Sequence, residues 1–248
     1  MRVAGMTDVG LKRENNQDHF LVDDELGLFV VADGMGGHQG GEVASQLAVQ
    51  AIHQTVKEFQ NIENPQPPRE VLQKAYASAC EKIFKRSLET SNLKGMGTTA
   101  VTALLKGQIL YLANVGDSRA YLIHPPHIWQ ISEDHSLLNE QIRAGLVRPE
   151  HAAVFAAKNV ITRSVGFEEY VTCDVIERKL QEGDYILLCS DGLSGMISDR
   201  RIGDVCLTLP FEEVAPRLVE EAKRNGGDDN ITVIFLGTFI ESEASKSP

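Results

Sequence analysis

Apolar residues along this chain follow two rhythms, and the order of those rhythms predicts its layout. Short unbroken or alternating apolar runs, the pattern of strands, occupy residues 2–8, 19–22, 28–32, 98–105, 108–115, 120–124, 128–131, 171–180, 184–189 and 231–239. The run at 28–32 has no polar interruption, as expected of a strand buried on both faces. Helical spacing appears at 41–59, where Ala44, Leu47, Ala48, Ala51, Ile52 and Phe59 share a face, and again at 69–91, 199–209 and 211–224. Lys106-Gly107 reads as a hairpin, Pro125-Pro126 as a turn, and the proline-bearing stretch 61–68 as a loop. Residues 133–166 carry helix-forming side chains around Gly145 and Pro149 but no apolar stripe, and read as a helical surface insertion. The polar segment 241–248 is expected to fray. Strands, two long helices, more strands and two further helices predict an α+β fold in one domain spanning residues 1–240.

Composition narrows the class without naming an activity. The 248 residues are 42% hydrophobic, so the chain has material for a sizeable core. A net charge of −11 argues against nucleic acid or an anionic membrane as the main partner. Cys80, Cys173, Cys189 and Cys206 lack paired metal-ligand spacing and read as core thiols in a reducing compartment. No apolar run reaches membrane-spanning length and the first residues lack a signal-peptide pattern, so a soluble, cytoplasmic, monomeric protein is expected.

The candidate chemistry lies where strands end. Asp33, Asp117, Asp191 and Asp229 each sit beside glycine or a turn signal at the end or start of an apolar run. Asp33 opens the glycine-rich turn that holds Gly34, Gly36, Gly37, Gly40 and Gly41, where positive φ and close backbone approach are available. One such acid is ordinarily a turn residue, and Asp117 by itself reads as a turn acid that caps the next strand or pairs with Arg119. Four on neighbouring strands would crowd like charges that must protonate or be neutralised by cations. Oxygen ligands without a histidine or cysteine cluster suit Mg²⁺ or Mn²⁺ better than zinc. Two such ions sharing a water can lower its pKa and supply a nucleophile.

Six motifs then carry a resemblance: Thr7-Asp-Val-Gly-Leu-Lys-Arg13 with Asn16-Gln-Asp18, Val31-Ala-Asp-Gly-Met-Gly-Gly-His38, Gly95-Met-Gly-Thr-Thr99, Asn114-Val-Gly-Asp-Ser-Arg119, Ser190-Asp-Gly-Leu193 and Gly227-Asp-Asp-Asn-Ile-Thr232. In content and order the chain resembles the metal-dependent serine/threonine protein phosphatases of the PPM family (type 2C), bacterial form. The resemblance implies a central β-sandwich of two antiparallel sheets flanked by pairs of helices, with a flap insertion at about 133–166. It implies that Asp33 bridges two Mn²⁺ or Mg²⁺ ions, that the Gly34 carbonyl binds one and that Asp191 and Asp229 bind the other. Asp117 would hold a weaker third ion together with Asp191, and Asp18 would act near the centre through water. Arg13 would bind the substrate phosphate; by itself it reads as a solvated loop arginine. The implied reaction is hydrolysis of phosphoserine and phosphothreonine on proteins, with a metal-bridging hydroxide attacking phosphorus in line. Met35 stands where the eukaryotic branch has a histidine, which leaves His38, His135, His151 or metal-bound water as proton donor. A non-catalytic regulatory module on the same fold, and a hydrolase of small phosphate esters, are the other readings.

Overall fold

The computed structural model describes residues 1–60, 66–148, 150–151 and 160–237, with the backbone alone at 37–39. The strands are β1 (Arg2–Asp8), β2 (Asp18–Asp23), β3 (Leu28–Met35), β4 (Gly97–Thr98), β5 (Ala100–Lys106) and β6 (Ile109–Val115). They continue with β7 (Arg119–His124), β8 (His127–Gln130), β9 (Asp174–Lys179), β10 (Tyr185–Cys189) and β11 (Ile231–Gly237). The helices are α1 (Gly37–Gln60), α2 (Pro68–Glu89), α3 (Leu137–Arg143), α4 (Asp191–Ser194), α5 (Asp199–Thr208) and α6 (Phe211–Arg224). One sheet has the order β1-β11-β10-β7-β8 and the other β2-β3-β5-β6-β9, with β4 against the end of β3. Every pairing is antiparallel.

Strand parity divides the core into three layers. In β3, Leu28, Val30 and Ala32 pack among α1 and α2 with Tyr76 and Ile83. Phe29 and Val31, one residue out of step, join Val101, Leu112, Leu188 and Ile234 between the sheets. In β11, Ile231, Val233 and Phe235 face Leu218 and Val219 of α6, while Ile234 and Leu236 look inward. Helices, sheet, sheet and helices therefore stack in that order, the sandwich expected from the resemblance.

Departures from the predicted elements have local causes. The run at 98–105 is broken at Thr99, whose N–H bonds the Asp33 carbonyl at 2.8 Å, so β4 and β5 pair separately with β3. Helix α1 begins at Gly37, four residues before its apolar periodicity starts. Among the described residues of 133–166 the only α-helix is α3, capped by Ser136, which accepts from the Asn139 N–H. Without an apolar stripe there is little to hold a longer helix there. A short bridge from Thr98 to Val165 fastens that segment to the body, and another from Ser136 to Ile161 joins its two ends. The four cysteines are free and buried. The segment 241–248 lies outside the described residues, and no helix among those described is long and apolar enough to cross a membrane.

Tyr76 ties a helix to the sheet beneath it. Its buried hydroxyl lies 3.0 Å from the carbonyls of Ala100 and Ala113 and from Thr102 Oγ1. Tyr76→Phe removes that donor and leaves buried acceptors without it. The expected cost is about 1–3 kcal/mol, read as a lower denaturant midpoint with an unchanged slope. An unchanged midpoint would show that the hydroxyl contributes nothing to the helix–sheet contact.

Candidate metal centre

Two acids meet because of strand register. Asp18 and Asp33 are direct partners in the β2–β3 ladder, so their side chains leave the sheet on the same face. Parity sets which face. Asp33 follows Phe29 and Val31, and Asp18 precedes Phe20 and Val22, all of which point between the sheets. The interior layer of the sandwich thus ends in two opposed carboxylates.

The other sheet supplies the remaining acids. Gly192 has no room for a side chain, since a Cβ would lie 2.0 Å from the Asn230 carbonyl oxygen. That close approach sets Asp191, the first residue of α4, beside the loop carrying Asp229. Gly34 is equally confined: a Cβ there would come 2.0 Å from the carbonyl oxygen of Gly41 in α1. Among the glycines described at 34–41, Gly36 has a positive φ, 121°, and it makes the turn from β3 into α1. Space rather than backbone freedom explains Gly34 and Gly41.

The result is a cleft of about 370 Å³, lined by Asp33, Gly34, Asp117, Asp191 and Asp229, with Arg13 and Met35 beside them. A larger cavity of about 600 Å³ opens between β9 and α3 and contains none of these acids. Asp18 lies behind Asp33, buried, and its Oδ2 accepts from Ser190 Oγ at 2.8 Å and Thr232 Oγ1 at 2.6 Å. Arg13 donates to Asp229 Oδ2 at 2.6 Å from the rim.

Backbone and hydroxyl contacts hold these acids in place. The Asp33 N–H donates to Thr99 Oγ1 at 3.0 Å, Thr98 Oγ1 donates to the Asp33 carbonyl, and Thr99 Oγ1 meets Ser118 Oγ at 2.6 Å. Asn230 fastens the Arg13 loop by donating to the carbonyls of Val9 and Asn15 and accepting from the Gln17 N–H. Sequence reasoning assigned no role to Thr98, Thr99, Ser118, Ser190, Asn230 or Thr232. The available signal was that each is a polar residue inside a motif at a strand end.

Two sequence alternatives are resolved by geometry. Asp117 does not pair with Arg119: that guanidinium is forked onto Asp134, with Nη2 at 2.6 Å from Oδ2 and Nε at 3.0 Å from both carboxylate oxygens. His135 is buried away from the cleft with both ring nitrogens engaged, by the Gly116 N–H and by Asp174. His151 is exposed and does not line the cleft. The His38 side chain lies outside the described residues, although its backbone is in the first turn of α1.

Donor chemistry in the cleft fits hard divalent cations. Among the described residues, the lining offers carboxylate and carbonyl oxygens and no histidine or cysteine. Asp18 Oδ1 and Asp191 Oδ1 are buried without a hydrogen-bond partner among the described residues, an expensive arrangement unless a cation takes them up. Burial, then the charge of Asp18, raises Asp33 well above the usual carboxylate range. Burial lifts Asp18 to about 7 against the opposing hydrogen bonds of Thr232 and Ser190. Burial and then Asp191 lift Asp117 to about 7. Among the described residues no three acidic, histidine or cysteine side chains close into a preformed cage. Asp229 turns instead to Arg13.

Known proteins place these features in context. The profile of the family described as Protein phosphatase 2C matches residues 11–231. Protein phosphatase PhpP of Streptococcus pneumoniae serotype 2 is 38% identical over 241 residues, 95% of this chain and 97% of that protein. The Mycobacterium tuberculosis serine/threonine phosphatase PstP/Ppp superposes with a TM-score of 0.87 at 35% identity, covering 96% of this chain and 99% of the other. A structure of the PstP catalytic domain in complex with 2 manganese ions gives a TM-score of 0.84 at 35% identity, covering 94% of this chain and 96% of the other.

The raised carboxyls give a pH effect of definite sign. An acid whose folded pKa lies above its unfolded value stabilises the fold at low pH and loses that contribution as pH rises toward the folded pKa. With Asp18 and Asp117 near 7, protein kept in EDTA should therefore melt at a lower temperature at pH 8 than at pH 5. Asp18→Asn removes one of the crowded charges and should shrink the difference. Equal losses in parent and variant would refute the account.

Proposed function

Since the chain belongs to the protein phosphatase 2C family and is a serine/threonine protein phosphatase, we propose that this cleft is where it removes phosphate from phosphoserine and phosphothreonine on proteins, using divalent cations. The observation that supports the reading most is the Asp18–Asp33 cross-strand pair, which gathers uncompensated charge where Asp191 and Asp229 converge. Asp33, the Gly34 carbonyl, Asp191 and Asp229 would hold two ions, and Asp117 with Asp191 a weaker third. The manganese-bound PstP structure favours Mn²⁺, and Mg²⁺ suits the same oxygen donors. When bound, such ions lower the pKa of a shared water and offset the charge of the phosphoryl oxygens.

The chain's own residues do the positioning. Asp18 sets Asp33 from behind while Ser190 and Thr232 hold Asp18. Arg13 brings a planar donor fork to the rim, suited to phosphoryl oxygens, and its contact with Asp229 keeps it over the cleft. Met35 lines the cleft but has no proton to give, so His38, at the start of α1, is the candidate donor to the leaving alkoxide. Ile161, brought in by its bridge to Ser136, places the 133–166 segment against the cleft, where substrate side chains would be sorted. Residues 1–240 act as one catalytic domain in this reading. The alternative of a non-catalytic module leaves the concentration of buried acids without a use.

Hydrolysis of a phosphothreonine peptide should require Mn²⁺ or Mg²⁺ and stop in EDTA. Asp33→Ala and Asp191→Ala should each lower kcat by several orders of magnitude, and full turnover by stripped enzyme in EDTA would sink the proposal.

Arg13→Ala should raise KM for the phosphopeptide while leaving the metal requirement intact, because its contact serves both ground and transition states. Parental KM and kcat would return Arg13 to the role of a solvated loop residue.

A further inference from the structure

Asp117 sits on the cleft wall in a turn that cannot hold itself. The preceding Gly116 has φ 102°, and a Cβ there would lie 2.6 Å from Thr99 Cβ, so no side chain at 116 could anchor the turn. The Gly116 peptide is gripped from outside instead. Its N–H donates to His135 Nδ1 at 3.1 Å, and its carbonyl accepts from the His135 N–H at 3.0 Å and from Asn114 Nδ2 at 3.3 Å. A backbone N–H can only donate, so Nδ1 is the unprotonated nitrogen and the ring proton lies on Nε2. Asp174 Oδ2, 3.0 Å from Nε2, accepts that proton, and Arg163 Nη1, which lies 3.4 Å from Nε2 but can only donate, gives its proton to the other Asp174 oxygen at 3.2 Å. Carboxylate partners of this kind fix a histidine's tautomer and ring orientation.

We infer that His135 is a positioning residue for the dephosphorylation reaction: its Nδ1 holds the Gly116 amide so that Asp117 faces Asp191 across the cleft, and Asp174 fixes the ring for that task. The inference rests on the role proposed for Asp117 above. It also joins two distant regions, because Asp174 is on β9 and Arg163 lies beside Ile161 of the cleft wall. His135 touches neither the substrate site nor the acids, so its effect must pass through the Gly116–Asp117 turn.

Two amides separate the functions of the ring. Asn places an acceptor where Nδ1 was, whereas Gln reaches Asp174 but gives Gly116 no acceptor. His135→Gln should lower kcat about 10–100-fold with KM little changed, the size typical of lost outer-shell support. His135→Asn should stay close to the parent. Asp174→Ala leaves the buried ring in place, is far less demanding on folding, and should lower kcat about 10-fold. Asp117→Asn should lose most of its kcat, and neither His135→Gln nor Asp174→Ala should lower it further in that background. If Asp117→Asn loses kcat but His135→Asn falls as far as His135→Gln, or if the losses multiply in the Asp117→Asn background, His135 is a fold support and the inference fails alone. If Asp117→Asn keeps the parental kcat, the proposed role of Asp117 fails and takes this inference with it.

Discussion

Like-charge repulsion between Asp18 and Asp33 is the constraint around which this end of the molecule is arranged. Antiparallel pairing places the two carboxylates side by side, and sandwich parity turns both into the interior layer. Neither strand can relieve the crowding by slipping. A one-residue shift would turn Phe29 and Val31, together with Asp33, from the layer between the sheets into the space that Leu28, Val30 and Ala32 fill beneath α1 and α2. The protein relieves it in part, with two hydroxyls on Asp18, threonine contacts on the Asp33 backbone and Arg13 on Asp229. In the proposed function, what is left over would be the capacity to take up cations, so that stability foregone at the mouth of the sandwich and affinity for metal would be one quantity seen from two sides.

The legible parts of the fold were those whose burial leaves an unambiguous rhythm. Residues 28–32 and 231–237 are covered on both faces, and their strongly apolar runs, the second interrupted only by Thr232, announce central strands. Helices α5 and α6 were legible to within about a residue because each buries one clear face. The start of α1 was not, since a glycine run reads as turn and the closeness of Gly34 to Gly41 exists only after folding. In the 133–166 insertion the helix among the described residues is the short α3, because helix-forming residues without a stripe leave its length unspecified.

The acids themselves were recognisable one by one from their glycine neighbours and their motif order, but their supports were not. Arg119 is the clearest instance. Adjacency suggested Asp117 as its partner, whereas the chain returns fifteen residues later to offer Asp134 in better fork geometry. His135 reads in the sequence as one proton-donor candidate among several, whereas its burial against Gly116 depends on that same return. Partners supplied by long loops leave no local trace in sequence.

Sheet topology has a further consequence, for the life of the chain before it is complete. Strand β11 lies between β1 and β10, so the first strand made must wait for Ile231 before it finds its partner. Asp229 and Asn230, which fasten the Arg13 loop, arrive with that same strand. Throughout synthesis β1 is an unpaired edge, in need of shelter from other chains. The half of the centre built on β2 and β3 cannot be completed until the last strand enters the sheet. The two ends of the sequence are thus tied to one event: the Arg13 loop gains its contacts with Asp229 and Asn230 only when β11 takes its place beside β1.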